Sequence, residues 1–200
     1  MNPQQVFSKY DHHSSIERAA AMKFCPRCGN SMELVQYEEH LRPRCTSCGF
    51  VLFMNPFPTV SLLIMDNGRF LLARRAPHSF RPGVWCLPGG FVEWEEDFLT
   101  AARREAIEET GLIVEIDSIL NVVSSFLGPN IHPLNLALLA HPVGGEAKGG
   151  DDIDLVDWFT PGEPLPEMAF ESDVHLIERY FDAPFEGIAV DPRYSRPVDL

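Results

Sequence analysis

The chain of 200 residues contains no apolar run near the roughly 20 residues that a membrane-crossing helix needs. Its opening residues hold Asp11, His12 and His13 and no apolar signal region, so a cytoplasmic protein is expected rather than an exported one. Cations are scarce: Lys and Arg total 16 against 29 Asp and Glu, a formal charge of −13. A chain this acidic is a poor general ligand for nucleic acid or an anionic bilayer, because both need clustered positive charge. Nucleic acid and membrane are therefore not expected as partners. An anionic substrate would need a local reversal of sign, from a metal ion or an arginine cluster. There is no internal repeat, and none of the 7 histidines shows the H-x3-H spacing of a zinc hydrolase.

Cysteine is also sparse, with 5 in all, but four of them are arranged as a doubled motif. Cys25-x2-Cys28 and Cys45-x2-Cys48 are separated by sixteen residues, and each pair is followed by glycine (Gly29 and Gly49). Two residues between thiols let one tight turn aim both sulfurs at a single ion, and glycine permits the positive φ that such a turn uses. Two facing turns complete a closed shell of four thiolates, which is the pattern of a structural Zn2+ site and leaves no position open for a catalytic water. A redox role is the competing reading, and the doubled motif with its glycines weighs against it. The module resembles a zinc ribbon. Its few apolar residues (Phe24, Leu34, Phe50) make folding dependent on the metal. Cys86, flanked by apolar residues, reads as a small buried hydrophobe.

With 45% hydrophobic residues the remainder can bury a sizeable core. The expected division is an N-terminal extension (1–23), the cysteine module (24–52), a main domain (58–182) and a C-terminal tail (183–200) that docks loosely. Two readings stand for the extension: a biological start at Met22, or a helix over 14–22 capped by Ser14. In the main domain, 59–66 and 69–75 read as strands joined by Asn67-Gly68, a strong type I′ hairpin signal. A short strand over 84–87 is broken by Pro88-Gly89-Gly90. A helix is expected over 98–110, with Asp97 as N-cap and Gly111 closing it. Strands follow at 112–116, 119–126, 134–140 and 155–159, and a second helix at 170–181.

The first of these helices carries the chemistry. At 100° per residue, Glu105, Glu108 and Glu109 fall within one 100° arc that also contains Phe98, so three carboxylates crowd the edge of a core-facing side. They lie in the last turns, where the helix dipole is already negative, and like charges three and four apart repel. A helix selected only for stability would carry lysines there. Divalent cations in the gap make sense of the arrangement, since hard cations take carboxylate oxygens. Gly89 and Gly90 allow a sharp turn whose carbonyl could face the same ion, and Arg104 can bridge back to Glu96, fixing the loop to the helix.

The pattern G-x5-E-x7-R-E-U-x-E-E-x-G-U, with U aliphatic, is filled by Gly90, Glu96, Arg104, Glu105, Glu108, Glu109, Gly111 and Leu112. It resembles the box of the Nudix hydrolases, with Ala106 as a mild departure. The resemblance covers roughly residues 59–181. It implies an α/β fold, namely an α/β/α sandwich around a mixed sheet preceded here by the zinc ribbon. It also implies Mg2+- or Mn2+-dependent hydrolysis of a nucleoside diphosphate linked to another moiety. On this sequence Glu105, Glu108 and Glu109 would be the cation ligands, with the Gly89 carbonyl as a further one. Asp152, six positions before Trp158, would add another. Glu105 or Glu108 is the candidate base, and Gly90, Glu96, Arg104 and Gly111 are structural parts of the box.

A zinc ribbon before such a domain looks like the NADH pyrophosphatase branch. The Ser-Gln-Pro-Trp-Pro-Phe-Pro motif of that branch is absent from residues 124–133. Ribbon-bearing relatives that act on ADP-ribose or FAD form a second group, to which the Asn55-Pro56 linker and the 166–170 segment look closer. The expected partner is therefore a nucleotide-sugar or dinucleotide, with ADP-ribose or FAD ahead of NADH or NAD; a homodimer is compatible with the resemblance. Arg74, Arg75, His78 and Arg81 form the one dense basic cluster, suited to phosphates or to ion pairing at a strand end. Phe170 and Phe80 are candidates to stack on a base or flavin ring, or to fill core. A nucleotide-sensing regulatory module is the reading from another class, and the complete set of box glutamates argues against it. Decapping of NAD-linked RNA is a further alternative, opposed by the charge of −13.

Overall fold

The computed structural model describes residues 7–8, 17–128, 131–183 and 185–191. Two units are distinct, one of Met1–Phe57 with Ser125–Pro133, the other of Pro58–Ser124 with Leu134–Leu200.

In the first unit β1 (Phe7–Ser8) runs parallel to Ser125 and Phe126, and α1 (Glu17–Ala21) precedes the cysteine module. Residues 9–16 of the N-terminal reading lie outside the described part, so of the helix expected over 14–22 only α1 is seen. The module itself is a hairpin of β2 (Met32–Tyr37) and β3 (His40–Cys45), antiparallel from Met32 opposite Cys45 to Tyr37 opposite His40. Its core is Cys25, Met32 and Cys45, with Phe50 and Leu52 packed on it. Phe24 is 71% exposed and Leu34 37%, so two of the three expected core residues lie outside it. α1 lies against both strands of the hairpin, yet Phe24 and Leu34 stay outside this small core.

The second unit is a sheet between two helices. Its elements are β4 (Phe57–Asp66), β5 (Arg69–Arg75), β6 (Trp85–Cys86), α2 (Phe98–Thr110), β7 (Leu112–Phe126), β8 (Pro133–Gly145), β9 (Ile153–Phe159), α3 (Glu171–Asp182) and β10 (Ile188–Ala189). Neighbours run β7-β8-β4-β5-β6, with β10 on β7 and β9 on β5. Asn67 and Gly68, at φ 48° and 76°, make the tight connection between β4 and β5 that their sequence demands. β4 and β5 read as unbroken apolar runs because both faces are covered. Leu62, Ile64 and Leu71 pack with Leu99, Ala102 and Ala106 of α2 on one side. Their alternating neighbours Leu63, Phe70 and Leu72 pack with Leu176 and Ile177 of α3 on the other. The architecture is the expected α/β/α sandwich around a mixed sheet.

Two differences from the sequence expectation have local causes. The strands expected at 112–116 and 119–126 are one strand, β7, because the Asp117-Ser118 interruption is absorbed by register shifts against β8. Ser118 takes a buried position in its alternation, at 3% exposure. The tail is tied down in part: Ile188 and Ala189 pair antiparallel with Ile119 and Ser118.

Candidate active site

Asp97 caps α2 through its Oδ1, which accepts from the Leu99 and Thr100 amides at 3.0 Å each. Gly111 ends the helix at φ 68°, its N–H donating to the Ile107 carbonyl. The last turns of α2 thereby face residues 87–90, which are pinned at every step. The Leu87 amide donates to Asp173 Oδ2 at 3.0 Å, and the Gly89 amide to Glu109 Oε2 at 2.7 Å. The Pro88 carbonyl accepts from Leu62 and the Gly90 carbonyl from Val60. The two glycines leave room for different neighbours. Gly89 sits at φ 149°, where an added Cβ would meet the Val60 carbonyl oxygen at 2.1 Å; a Cβ on Gly90 would meet Glu105 Oε1 at 2.3 Å.

Arg104 organises the carboxylates. Its Nε and Nη2 form a fork on Glu96 (2.6 and 2.9 Å), and Nη1 donates to both Glu105 and Glu108 at 2.8 Å. Nη2 also reaches the Phe91 carbonyl at 3.0 Å. Glu96 is held below its ordinary pKa, chiefly by Arg104. Glu105 and Glu109 are buried, whereas Glu108 is exposed. Burial raises the Glu105 carboxyl, against the pull of Arg104. Burial raises Glu109 well above the usual carboxylate range, opposed by the Gly89 amide and reinforced by Asp152 and Glu105.

Asp152 sits beside Glu109 and is paired with Arg75 Nη2 at 2.7 Å. Arg75 is itself nearly buried; its Nε donates to the Phe80 carbonyl, and its guanidinium lies 6.0 Å from the Phe170 ring. Arg74 forms a fork on Asp154 at 2.9 and 3.1 Å. Both arginines are thus engaged with carboxylates. Phe170, at the N-cap position of α3, lies parallel to Phe80 at 6.4 Å between centroids. The sequence reading missed Asp173. An acid in the first turn of a helix looks like an ordinary dipole contact, and no local signal reports that it is buried or that burial pushes it up to about 7.

The thiols fit a metal directly. Sulfur separations are 3.7 Å for Cys25–Cys48 and 3.5 Å for Cys28–Cys45 and Cys28–Cys48. Tetrahedral Zn2+ with bonds of about 2.3 Å has S···S edges of about 3.8 Å. Gly29 and Gly49 both adopt φ 73°, and the Arg27 and Cys48 amides each donate to a sulfur at 3.4 Å. The carboxylates are less convergent. Among the described residues, only the cysteine quartet brings three or more such ligand atoms within 4.8 Å of one another. The donor chemistry at α2 still suits a hard cation: two buried carboxylates of like charge lie beside a glycine whose missing Cβ makes room for one of them. Among the described residues, no helix is long and apolar enough to cross a membrane.

A sandwich with an acidic helix set against a glycine turn, and a four-thiol ribbon ahead of it in sequence, defines a two-module enzyme with a carboxylate centre. The chain belongs to the Nudix hydrolase family: the NUDIX domain model matches residues 55–180, and the Nudix N-terminal zinc-ribbon model matches residues 23–53. An ADP-ribose pyrophosphatase of Methanocaldococcus jannaschii is 37% identical over 130 residues, covering 64% of this chain and 75% of that protein. The NAD-capped RNA hydrolase NudC of Chromobacterium violaceum is 33% identical over 166 residues, covering 80% of this chain. The chain spans 60% of that NudC and 54% of the one from Haemophilus influenzae strain PittGG. The crystal structure of a NUDIX hydrolase from Nitrosomonas europaea superposes with a TM-score of 0.73 at 27% identity, covering 85% of this chain and 97% of that one.

Proposed function

We propose that this hydrolase cleaves the pyrophosphate of a nucleoside diphosphate linked to another moiety, with ADP-ribose or FAD as substrate. The observation that carries the reading is the intact Arg104-centred carboxylate set on α2, combined with the absence of the NADH-branch motif from residues 124–133. The similarity to an ADP-ribose pyrophosphatase supports the same choice. Glu105, Glu108 and Glu109, with the Gly89 carbonyl and Asp152, would hold Mg2+ or Mn2+. When bound, such cations supply charge neutralisation on the phosphoryl oxygens and acidify a water.

The chain's own residues supply the rest. Glu109 is oriented by the Gly89 amide, and Glu105 by Arg104 and the space left at Gly90. Glu105 or Glu108 accepts the proton of the attacking water, both being held by the Arg104 guanidinium. Phe170 with Phe80 offers an aromatic surface for a base or flavin ring, and Arg74 and Arg75 would meet phosphates only by exchanging their bonds to Asp154 and Asp152. Zn2+ on the four thiols holds the ribbon.

A second reading, hydrolysis of NADH or NAD-linked ends, rests on the NudC relatives, whose similarity covers 80% of this chain. A product-resolved panel of ADP-ribose, FAD, NADH and nucleoside triphosphates with magnesium decides between them. A kcat/KM for ADP-ribose or FAD above that for NADH is expected; NADH well above both overturns the first reading. No turnover of any of the four sinks the enzyme assignment in favour of a nucleotide sensor.

A further inference from the structure

The glycine turn is held from three sides, and the third has no counterpart in the box pattern. β4 takes the Pro88 and Gly90 carbonyls, and α2 takes the Gly89 amide through Glu109. The segment entering α3 takes the stretch just before them. The Trp85 amide donates to the Glu167 carbonyl at 2.8 Å, the Ala169 amide to the Trp85 carbonyl at 2.7 Å, and the Leu87 amide to Asp173 Oδ2 at 3.0 Å. Only the last is made by a side chain, and that side chain is a carboxylate exposed to 4%. The Asp173 carboxyl is bonded by Ser172 and feels the Arg75 charge as well as the Leu87 amide, and an apolar residue in its place would leave that buried amide without an acceptor. The bond falls two residues before Gly89.

We propose that Asp173 is a positioning residue of the hydrolase, which fixes the Leu87 amide and through it the orientation of the Gly89 carbonyl toward α2. The assignment rests on the proposed function above, in which that carbonyl is a cation ligand. Asp173 and Glu109 clamp alternate amides, Leu87 and Gly89, from opposite helices, so the peptides leading into Gly89 cannot rotate without breaking one clamp, and the Gly89–Gly90 peptide that carries the carbonyl is held on its far side by the Gly90 carbonyl on the Val60 amide. The effect belongs to the acceptor oxygen rather than to the charge, and an asparagine should therefore preserve it.

The test uses the full chain, with Asp173→Asn and Asp173→Ala beside the wild type. Three quantities are measured: amide exchange at Leu87 without metal, the magnesium-induced rise in Tm, and kcat and KM for the best substrate of the panel. In Asp173→Ala, Leu87 should exchange faster, and the magnesium half-saturation and kcat should worsen by about 10- to 100-fold with little change in KM. Asp173→Asn should recover most of each. If the alanine variant does not fold, the wild-type protein still decides, since rapid Leu87 exchange there overturns the clamp. An asparagine variant that folds but behaves like alanine overturns the acceptor argument. A wild type with no magnesium response defeats the cation reading and this proposal with it. A wild type that responds, beside an alanine variant that responds equally, defeats Asp173 alone.

Discussion

Gly90→Ala isolates the carboxylate centre from the fold. Gly90 does not occupy the left-handed region, so an alanine backbone fits there without strain. What the new methyl meets is the end of one side chain: Glu105 Oε1 at 2.3 Å, Cδ at 2.7 Å and Oε2 at 3.0 Å. Ordinary contact begins at 3.4 Å, so the carboxylate must retreat by about 1 Å, a misplacement that costs roughly 100-fold in an assembled active site. That is about 2.7 kcal/mol of transition-state stabilisation. The fold should lose far less, about 1 kcal/mol or under, since the displaced atoms end a flexible side chain. Gly89→Ala is the contrast: its Cβ collides with the Val60 backbone at φ 149°, and the protein should fail to fold. The assay is kcat at saturating magnesium beside the thermal midpoint, for wild type and Gly90→Ala in parallel. Near-wild-type turnover in a folded Gly90→Ala would refute the catalytic placement of Glu105; a collapse of the midpoint would refute the packing argument.

Glu109→Gln should raise metal-free stability, because it removes a group whose ionisation is opposed by burial and by Glu105 and Asp152, while turnover falls by about two decades or more; paired denaturation and kinetics check the opposite movements. Cys45→Ser should leave three thiolates, release the zinc and unfold the ribbon; metal analysis should find one zinc per wild-type chain, and a disulfide by mass spectrometry would end that reading. Stability without metal should also depend on pH through Asp173. Its folded pKa of about 7 lies above the ordinary 3.8, so the folded state keeps a proton that the unfolded state has lost. Stability from this group therefore falls as pH rises from about 4 to 7, by roughly 4 kcal/mol at most. Urea titrations in chelator should show the slope flattened, not abolished, in Asp173→Asn, because Glu105 and Glu109 are also raised and add slope of the same sign in both proteins; Glu96 and Asp154, whose pKa values are lowered, act below that window.

The parts legible in the sequence are those whose chemistry is local. Asn67-Gly68 can close only one kind of hairpin, and it does. Asp97 and Gly111 bound α2 at the residues expected, and the Arg104–Glu96 bridge follows from a spacing of eight residues across one turn and one helix start. What escaped notice depends on partners far along the chain. Arg75 reads either as a phosphate ligand or as half of an ion pair, and nothing nearby names its partner Asp152, 77 residues on. Asp173 reads as a helix-start acid because Leu87 is 86 residues away. Asp117-Ser118 looks like a strand break because the sequence does not show that a partner strand can shift register past it. Phe24 and Leu34 count as core by hydrophobicity alone, whereas the buried positions of the ribbon are taken by Cys25, Met32 and Cys45.

Arg104 also governs how the resting enzyme carries its charge. The guanidinium keeps its grip on Glu96 with two nitrogens while lending a third to Glu105 and Glu108 together. Those two carboxylates can turn away without setting the arginine adrift. One guanidinium cannot balance Glu96, Glu105 and Glu108 together, so the cation proposed for this site would meet carboxylates already oriented and still carrying an excess of negative charge.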